Sequence, residues 1–175
     1  MTEVVTTRDA AVQELLDKQA IREVIVRYFR GLDRADAALI ASAFHPDAVD
    51  EHGAGKVFRG AEIAPAILNY SRELHVVQGS HHITNQTIVL DGDRACTESY
   101  FFGHMLTSHD GVENTLQLSG RYLDRMERRD GEWKIAHRVV VPELAGNLPP
   151  GLMWLGQRLN YDASDATDPS YSVLG

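Results

Sequence analysis

Residues 76–142 read VVQGSHHITNQTIVLDGDRACTESYFFGHMLTSHDGVENTLQLSGRYLDRMERRDGEWKIAHRVVVP, and this stretch decides the architecture. Apolar and polar residues alternate with a period near two, the spacing of a pleated strand with two unlike faces. The alternation breaks at Asp91-Gly92-Asp93, Asp110-Gly111 and Asp130-Gly131. Asp-Gly pairs are strong hairpin signals because tight hairpin turns need left-handed backbone. The spacing therefore predicts strands over 76–90, 94–108, 113–128 and 132–142, joined as a four-stranded antiparallel meander. Strands of that length twist and curl strongly.

Upstream, the period changes. Val12, Leu15, Leu16, Ile21, Val24, Ile25, Tyr28, Phe29 and Leu32 recur at three- and four-residue steps, predicting one face of a helix over 10–32. Asp9 is placed to cap its start and Gly31 weakens its end. A short helix is expected over 35–44, stopped by His45-Pro46-Asp47 because a residue before proline leaves the helical region. Residues 48–58 read as an extended hairpin through Gly53 and Gly55, and 60–74 as a third helix. Three helices followed by a meander give an α+β fold. A curled sheet with helices across its open side forms a cone with an internal pocket. Residues 1–145 thus make one domain. The tail, 146–175, with Pro149-Pro150 and Pro169, is expected to be irregular and to cover the pocket or a neighbouring subunit.

Composition narrows the functional classes. The 175 residues carry 17 Lys and Arg against 25 Asp and Glu, a net charge of −8. Nucleic acids and anionic membranes need clustered cations, so neither is an expected partner. No apolar run reaches the roughly 18 residues of a membrane span. Met1 to Asp9 carries no apolar signal core, and a cytoplasmic protein is expected. A single cysteine, Cys96, rules out an internal disulfide framework and any multi-cysteine metal site. The nucleotide, zincin and serine-hydrolase motifs GxGxxG, GxxxxGK[ST], HExxH and GxSxG are absent.

What remains is a set of eight histidines and scattered carboxylates. Adjacent strand residues point to opposite faces, so only one of His81 and His82 can face the pocket. His81 shares its face with Ile83, Asn85, Thr87 and Val89, and His82 shares its own with Thr84, Gln86, Ile88 and Leu90. Both faces are mixed, and periodicity does not choose between them. Asp33 follows the first long helix, where the negative helix end disfavours an acid, which hints at a functional reason. Arg138 lies between Ile135 and the run Val139–Val141, so it lines a cavity mouth or an exposed face. Residues Asp124 to Asp130 read as a solvated hairpin end. Glu51-His52 could be half of a metal site but has no matching second pair. Trp133 and Trp154 read as packing residues.

Three stretches together resemble the SnoaL-like branch of the NTF2-like superfamily. They are Leu15 to Ile21 leading to Tyr28 and Leu32-Asp33; His81-His82-Ile83-Thr84-Asn85 before Asp91-Gly92-Asp93-Arg94-Ala95; and Gly120-Arg121-Tyr122 with Glu127 to Lys134 ending at Arg138. Within that superfamily the chain is similar to the scytalone dehydratases, the bile-acid 7α-dehydratases and the hexachlorocyclohexane dehydrochlorinases. The resemblance implies a cone-shaped fold, a homo-oligomer (trimer or dimer), and a histidine–aspartate dyad working without cofactor or metal. It matches the aspartate to Asp33, and it selects His81 because Asn85 follows four positions later. It also matches Tyr28 to a polar helix residue five before the aspartate and Arg138 to a basic residue of the last strand. Where the dehydratases place a substrate-contacting tyrosine, this chain has Asp50-Glu51-His52, with His52 as the substitute.

These assignments imply a lyase of the dehydratase kind acting on a small, cyclic, largely apolar substrate. His81 takes a proton, Asp33 fixes its tautomer, and Tyr28 or His52 donates a hydrogen bond. Arg138 attracts an anionic substrate or links subunits, and Asn85 belongs to the substrate-binding set. An isomerase or polyketide cyclase would use the same proton abstraction. A non-catalytic alternative is a binding module, or a scaffold such as the small subunit of ring-hydroxylating dioxygenases.

Overall fold

The computed structural model describes residues 2–53 and 55–148. In chain order the elements are helix α1 (Thr2–Asp33), helix α2 (Ala37–Ser42), strand β1 (Phe44–Glu51) and strand β2 (Val57–Arg59). A 3-10 turn (Gly60–Glu62) leads into helix α3 (Ile63–Glu73). Four long strands follow: β3 (Val76–Asp91), β4 (Arg94–His109), β5 (Val112–Arg129) and β6 (Glu132–Leu148).

The α+β architecture and the four-strand meander stand as expected, but the sheet is larger and mixed. Its six strands run in the order β2-β1-β6-β5-β4-β3, and β1 lies parallel to β6. The meander needs only tight turns. At Asp110-Gly111 and Asp130-Gly131 all four residues have positive φ, between 50° and 83°, the backbone that two-residue hairpins require. The parallel strand is the part that local pattern could not show. Residues 44–47, expected to end the second helix, instead open β1, where the backbone N–H of Ile135 on β6 bonds the Ala43 carbonyl. The curved sheet does not close, so β2 and β3 remain its edges.

Helix α1 starts at Thr2, so Asp9 lies inside it and caps nothing. Its second half carries the expected apolar face. Ile21, Val24, Ile25, Tyr28 and Phe29 are buried against Phe101, Tyr122, Met126 and Ile135 of the sheet. Its first half does not. Val12, Leu15 and Leu16 are 46%, 66% and 58% exposed. The boundary falls at Asp17, whose Oδ1 accepts hydrogen bonds from Trp133 Nε1 at 2.9 Å and Arg128 Nη1 at 2.8 Å. These bonds tie the middle of the helix to the far end of the sheet, and before that tie Ala10, Gln13 and Glu14 share a cleft with Ile88 to Leu90 of β3. Strand β6 continues to Leu148, so the irregular tail expected from 146 cannot start before 149. Residues 149–175, with Trp154, lie outside the described residues.

Candidate active site

The end of α1 is built to hold one carboxylate. Ala35 takes φ 48°, its N–H bonds the Leu32 carbonyl at 3.2 Å, and the Asp36 N–H bonds the Gly31 carbonyl at 2.8 Å. This is a Schellman closure with alanine in the left-handed position usually given to glycine. Asp36 at once caps α2, its Oδ1 accepting from the N–H groups of Ala38 and Leu39. A Cβ on Gly31 would come within 2.8 Å of the Ile40 backbone nitrogen, so only glycine lets the two helices approach this closely. Asp33 therefore sits on the last residue of a clamped helix.

Facing it is His81. Because β3 is an edge strand, the His81 N–H has no sheet partner. It donates instead to both Asp33 oxygens, each at 3.1 Å. The imidazole Nδ1 lies 2.6 Å from Asp33 Oδ1. With the carboxylate as acceptor, the proton sits on Nδ1, leaving Nε2 as the free ring nitrogen. The ring stacks on Phe29 with centroids 5.5 Å apart and planes 17° apart. Gly79 and Gly103 flank it, and a Cβ at Gly103 would meet His81 Cδ2 at 3.4 Å and Leu118 at 3.6 Å. The His81 side chain is 10% exposed and that of Asp33 is 17% exposed, a partly desolvated pair.

The choice between His81 and His82 is made by a β-bulge. Ile83 pairs with Phe101 and Gln86 with Ser99, so Thr84 and Asn85 together oppose Tyr100. One residue is skipped, and the inward face changes from Gly79, His81 and Ile83 to Gln86, Ile88 and Leu90. Each half is then consistently inward-facing, which an unbroken alternation conceals. His82 points outward, where it meets Ser80 at 3.1 Å. Asn85 sits at the bulge and is exposed, on neither half of the inward face, so it is outside the site it was expected to join.

Two other expected contacts are sealed in the core. Arg138 has no exposed surface. Its Nε and Nη2 bond Asp124 Oδ1 and Oδ2 at 2.7 and 2.8 Å, and its guanidinium lies 4.0 Å from the Tyr122 ring centroid and 4.3 Å from that of Tyr28. A second bulge explains its direction. Met126 pairs with Ile135 but Arg125 with His137, so Ala136 is skipped and Arg138 turns inward opposite Asp124. Asp124 is thus half of a buried ion pair and not part of a solvated hairpin end. Burial alone would pull the Arg138 pKa down, but the Asp124 carboxylate holds it above the usual arginine value. Tyr28 is also fully buried, with its ring against Phe29, Phe44 and Tyr122, and burial pushes its pKa well above 10. Both are sealed from solvent, and among the described residues Arg138 Nη1 and Tyr28 Oη have no hydrogen-bond partner.

His52 is held differently. Its Nδ1 lies 3.0 Å from Oδ2 of the fully buried Asp50, and its ring touches those of Phe58 and Tyr70. Glu51 diverges from it, bonding His137 at 2.7 Å. Among the described residues no group of His, Cys, Asp and Glu could hold a metal ion. No helix among them is long and apolar enough to cross a membrane. Sequence reasoning read Asp124 as part of a solvated hairpin end and gave Asp50 no role, since a carboxylate in a strand reads as a solvated residue until its buried partner is known.

A sequence model described as a SnoaL-like domain matches residues 13–139. Among solved structures, the chain is similar to a protein provisionally named scytalone dehydratase from Novosphingobium aromaticivorans. That match has 18% identity and a TM-score of 0.69, covering 82% of this chain and 99% of the other. It is similar to the type 3 hexachlorocyclohexane dehydrochlorinase of Novosphingobium barchaimii at 20% identity and TM-score 0.69, covering 83% and 99%. A Mycobacterium tuberculosis protein of unknown function matches at 29% identity and TM-score 0.58, covering 74% and 77%.

Proposed function

Because the chain belongs to the SnoaL-like family, we propose that it is a cofactor-independent lyase in which His81 removes a proton from carbon and Asp33 sustains the charge His81 acquires. The observation that carries this reading is the 2.6 Å contact between His81 Nδ1 and Asp33 Oδ1. An imidazole titrates near neutrality and is suited to taking a proton there. The aspartate fixes the tautomer, aims Nε2 away from the helix end and offsets the imidazolium charge after transfer. Phe29 covers one face of the His81 ring and gives the base an apolar surround on that side. A base so placed contributes roughly 10²–10⁴-fold.

The likeness to proteins named as a dehydratase and a dehydrochlorinase favours elimination, the expulsion of water or halide after proton loss. Isomerisation or ring closure from the same carbanion is the second reading; the product, whether new alkene, shifted double bond or ring, distinguishes them. In this proposal the protein is a soluble homo-oligomer. The test is His81→Ala on a confirmed substrate. Turnover is expected to fall by at least about 100-fold, and undiminished turnover overturns the reading.

A further inference from the structure

We propose that Asp50 and His52 form a second histidine–carboxylate unit that delivers a proton to the departing group, with His52 as the donor and Asp50 as its positioning residue. This rests on the elimination reading above and adds to it the class of leaving group, a hydroxyl that must leave as water. Asp50 is fully buried, yet among the described residues its Oδ1 has no hydrogen-bond partner and its Oδ2 meets only His52. Burying a carboxylate on a single partner is costly, and an apolar pair would fill the same space beside Phe58 and Tyr70 at lower cost. Such a group calls for a reason, and orienting a reactive imidazole is one. The His52 side chain is 14% exposed, so its ring, unlike Arg138 or Tyr28, is reachable.

The position fits the chemistry. Asp50 stands opposite Arg138 in the parallel register of β1 and β6. The Arg138 guanidinium lies on Tyr122, Tyr122 lies against Phe29, and Phe29 stacks on His81. Ring contacts therefore connect the Asp33–His81 pair through Phe29 and Tyr122 to Arg138, the neighbour of Asp50 across the two strands. With Nδ1–H donated to Asp50, Nε2 of His52 is the exchanging nitrogen. In the imidazolium form, Nε2–H passes its proton to the substrate hydroxyl as the C–O bond breaks. His81 Nε2 meanwhile takes the proton from the neighbouring carbon, and the C–H electron pair becomes the new C=C bond. Water leaves, His81 ends protonated and His52 neutral, and solvent restores both.

The experiment uses a matched pair of probes, 3-hydroxycyclohexanone and 3-chlorocyclohexanone, which give the same enone. Chloride needs no proton to leave. His52→Gln is expected to slow loss of water by about 100-fold or more while changing loss of chloride little, and Asp50→Asn to follow the same pattern more weakly. His81→Gln should slow both, so failure of the base assignment and failure of the donor assignment give different results. Equal losses with both probes in the His52 variant would mark a structural role and overturn the proposal. Long-range proton–nitrogen spectra of the wild-type protein supply a readout that does not depend on turnover. The His52 proton should reside on Nδ1, and 3-hydroxycyclohexanone should shift its Nε2 resonance. A proton on Nε2, or a ring unmoved by the probe, overturns it.

Discussion

Asp33 grips His81 at two points, taking the ring Nδ1 at 2.6 Å and the backbone N–H at 3.1 Å on both of its oxygens. The backbone contact fixes where the strand edge lies, and the ring contact fixes which nitrogen faces the site. The two functions separate under mutation. Asp33→Asn keeps an acceptor for the backbone N–H but loses the charge that sustains an imidazolium. Its kcat should fall by roughly 10²–10⁴-fold with little change in KM or in melting temperature. Steady-state kinetics with a thermal melt on the same sample checks this.

The buried Arg138–Asp124 pair is expected to govern stability. Removing one charge leaves the other uncompensated in the core, so Asp124→Asn should lose about 3–5 kcal/mol in denaturant unfolding. The double variant Asp124→Leu with Arg138→Met removes both charges and should recover most of that loss. A single variant as stable as the parent would show that the pair is not desolvated.

Alkaline pH should unfold the protein through Tyr28 and Tyr122. Burial raises both above the ordinary value of 10 in the folded state. Their contribution is complete below pH 10 and is lost as pH rises from there towards the folded values, at up to about 1.4 kcal/mol per pH unit for each group. Tyrosinate absorbance followed alongside circular dichroism should show these two residues ionising only as structure is lost.

Ala35 occupies left-handed backbone that costs a non-glycine residue about 1 kcal/mol. Ala35→Gly should therefore stabilise the chain by about 0.5–1 kcal/mol, measured by chemical denaturation, and leave the Asp33–His81 contact in place.

Much of this arrangement is legible in the chain. The long helix, the Asp-Gly hairpins and the pairing of Asp33 with His81 follow from period, turn chemistry and family likeness. What escaped reading shares one physical origin, which is contact between residues far apart in sequence. The bulges at Thr84-Asn85 and Ala136 shift the alternation by one residue, turning Asn85 out and Arg138 in, and only cross-strand register reveals them. The parallel β1–β6 pairing likewise joins residues 44–51 to 135–139. Asp124 and Asp50 look solvated until those pairings bury them.

The central claim is that His81 takes a proton from carbon, and hydrogen–deuterium exchange tests it without regard to what leaves afterwards. Cyclohexanone in heavy water, followed by proton NMR, should lose its α-hydrogens faster in the presence of the wild-type protein and at the background rate with His81→Gln. Exchange proceeding equally fast in the two proteins would contradict the account.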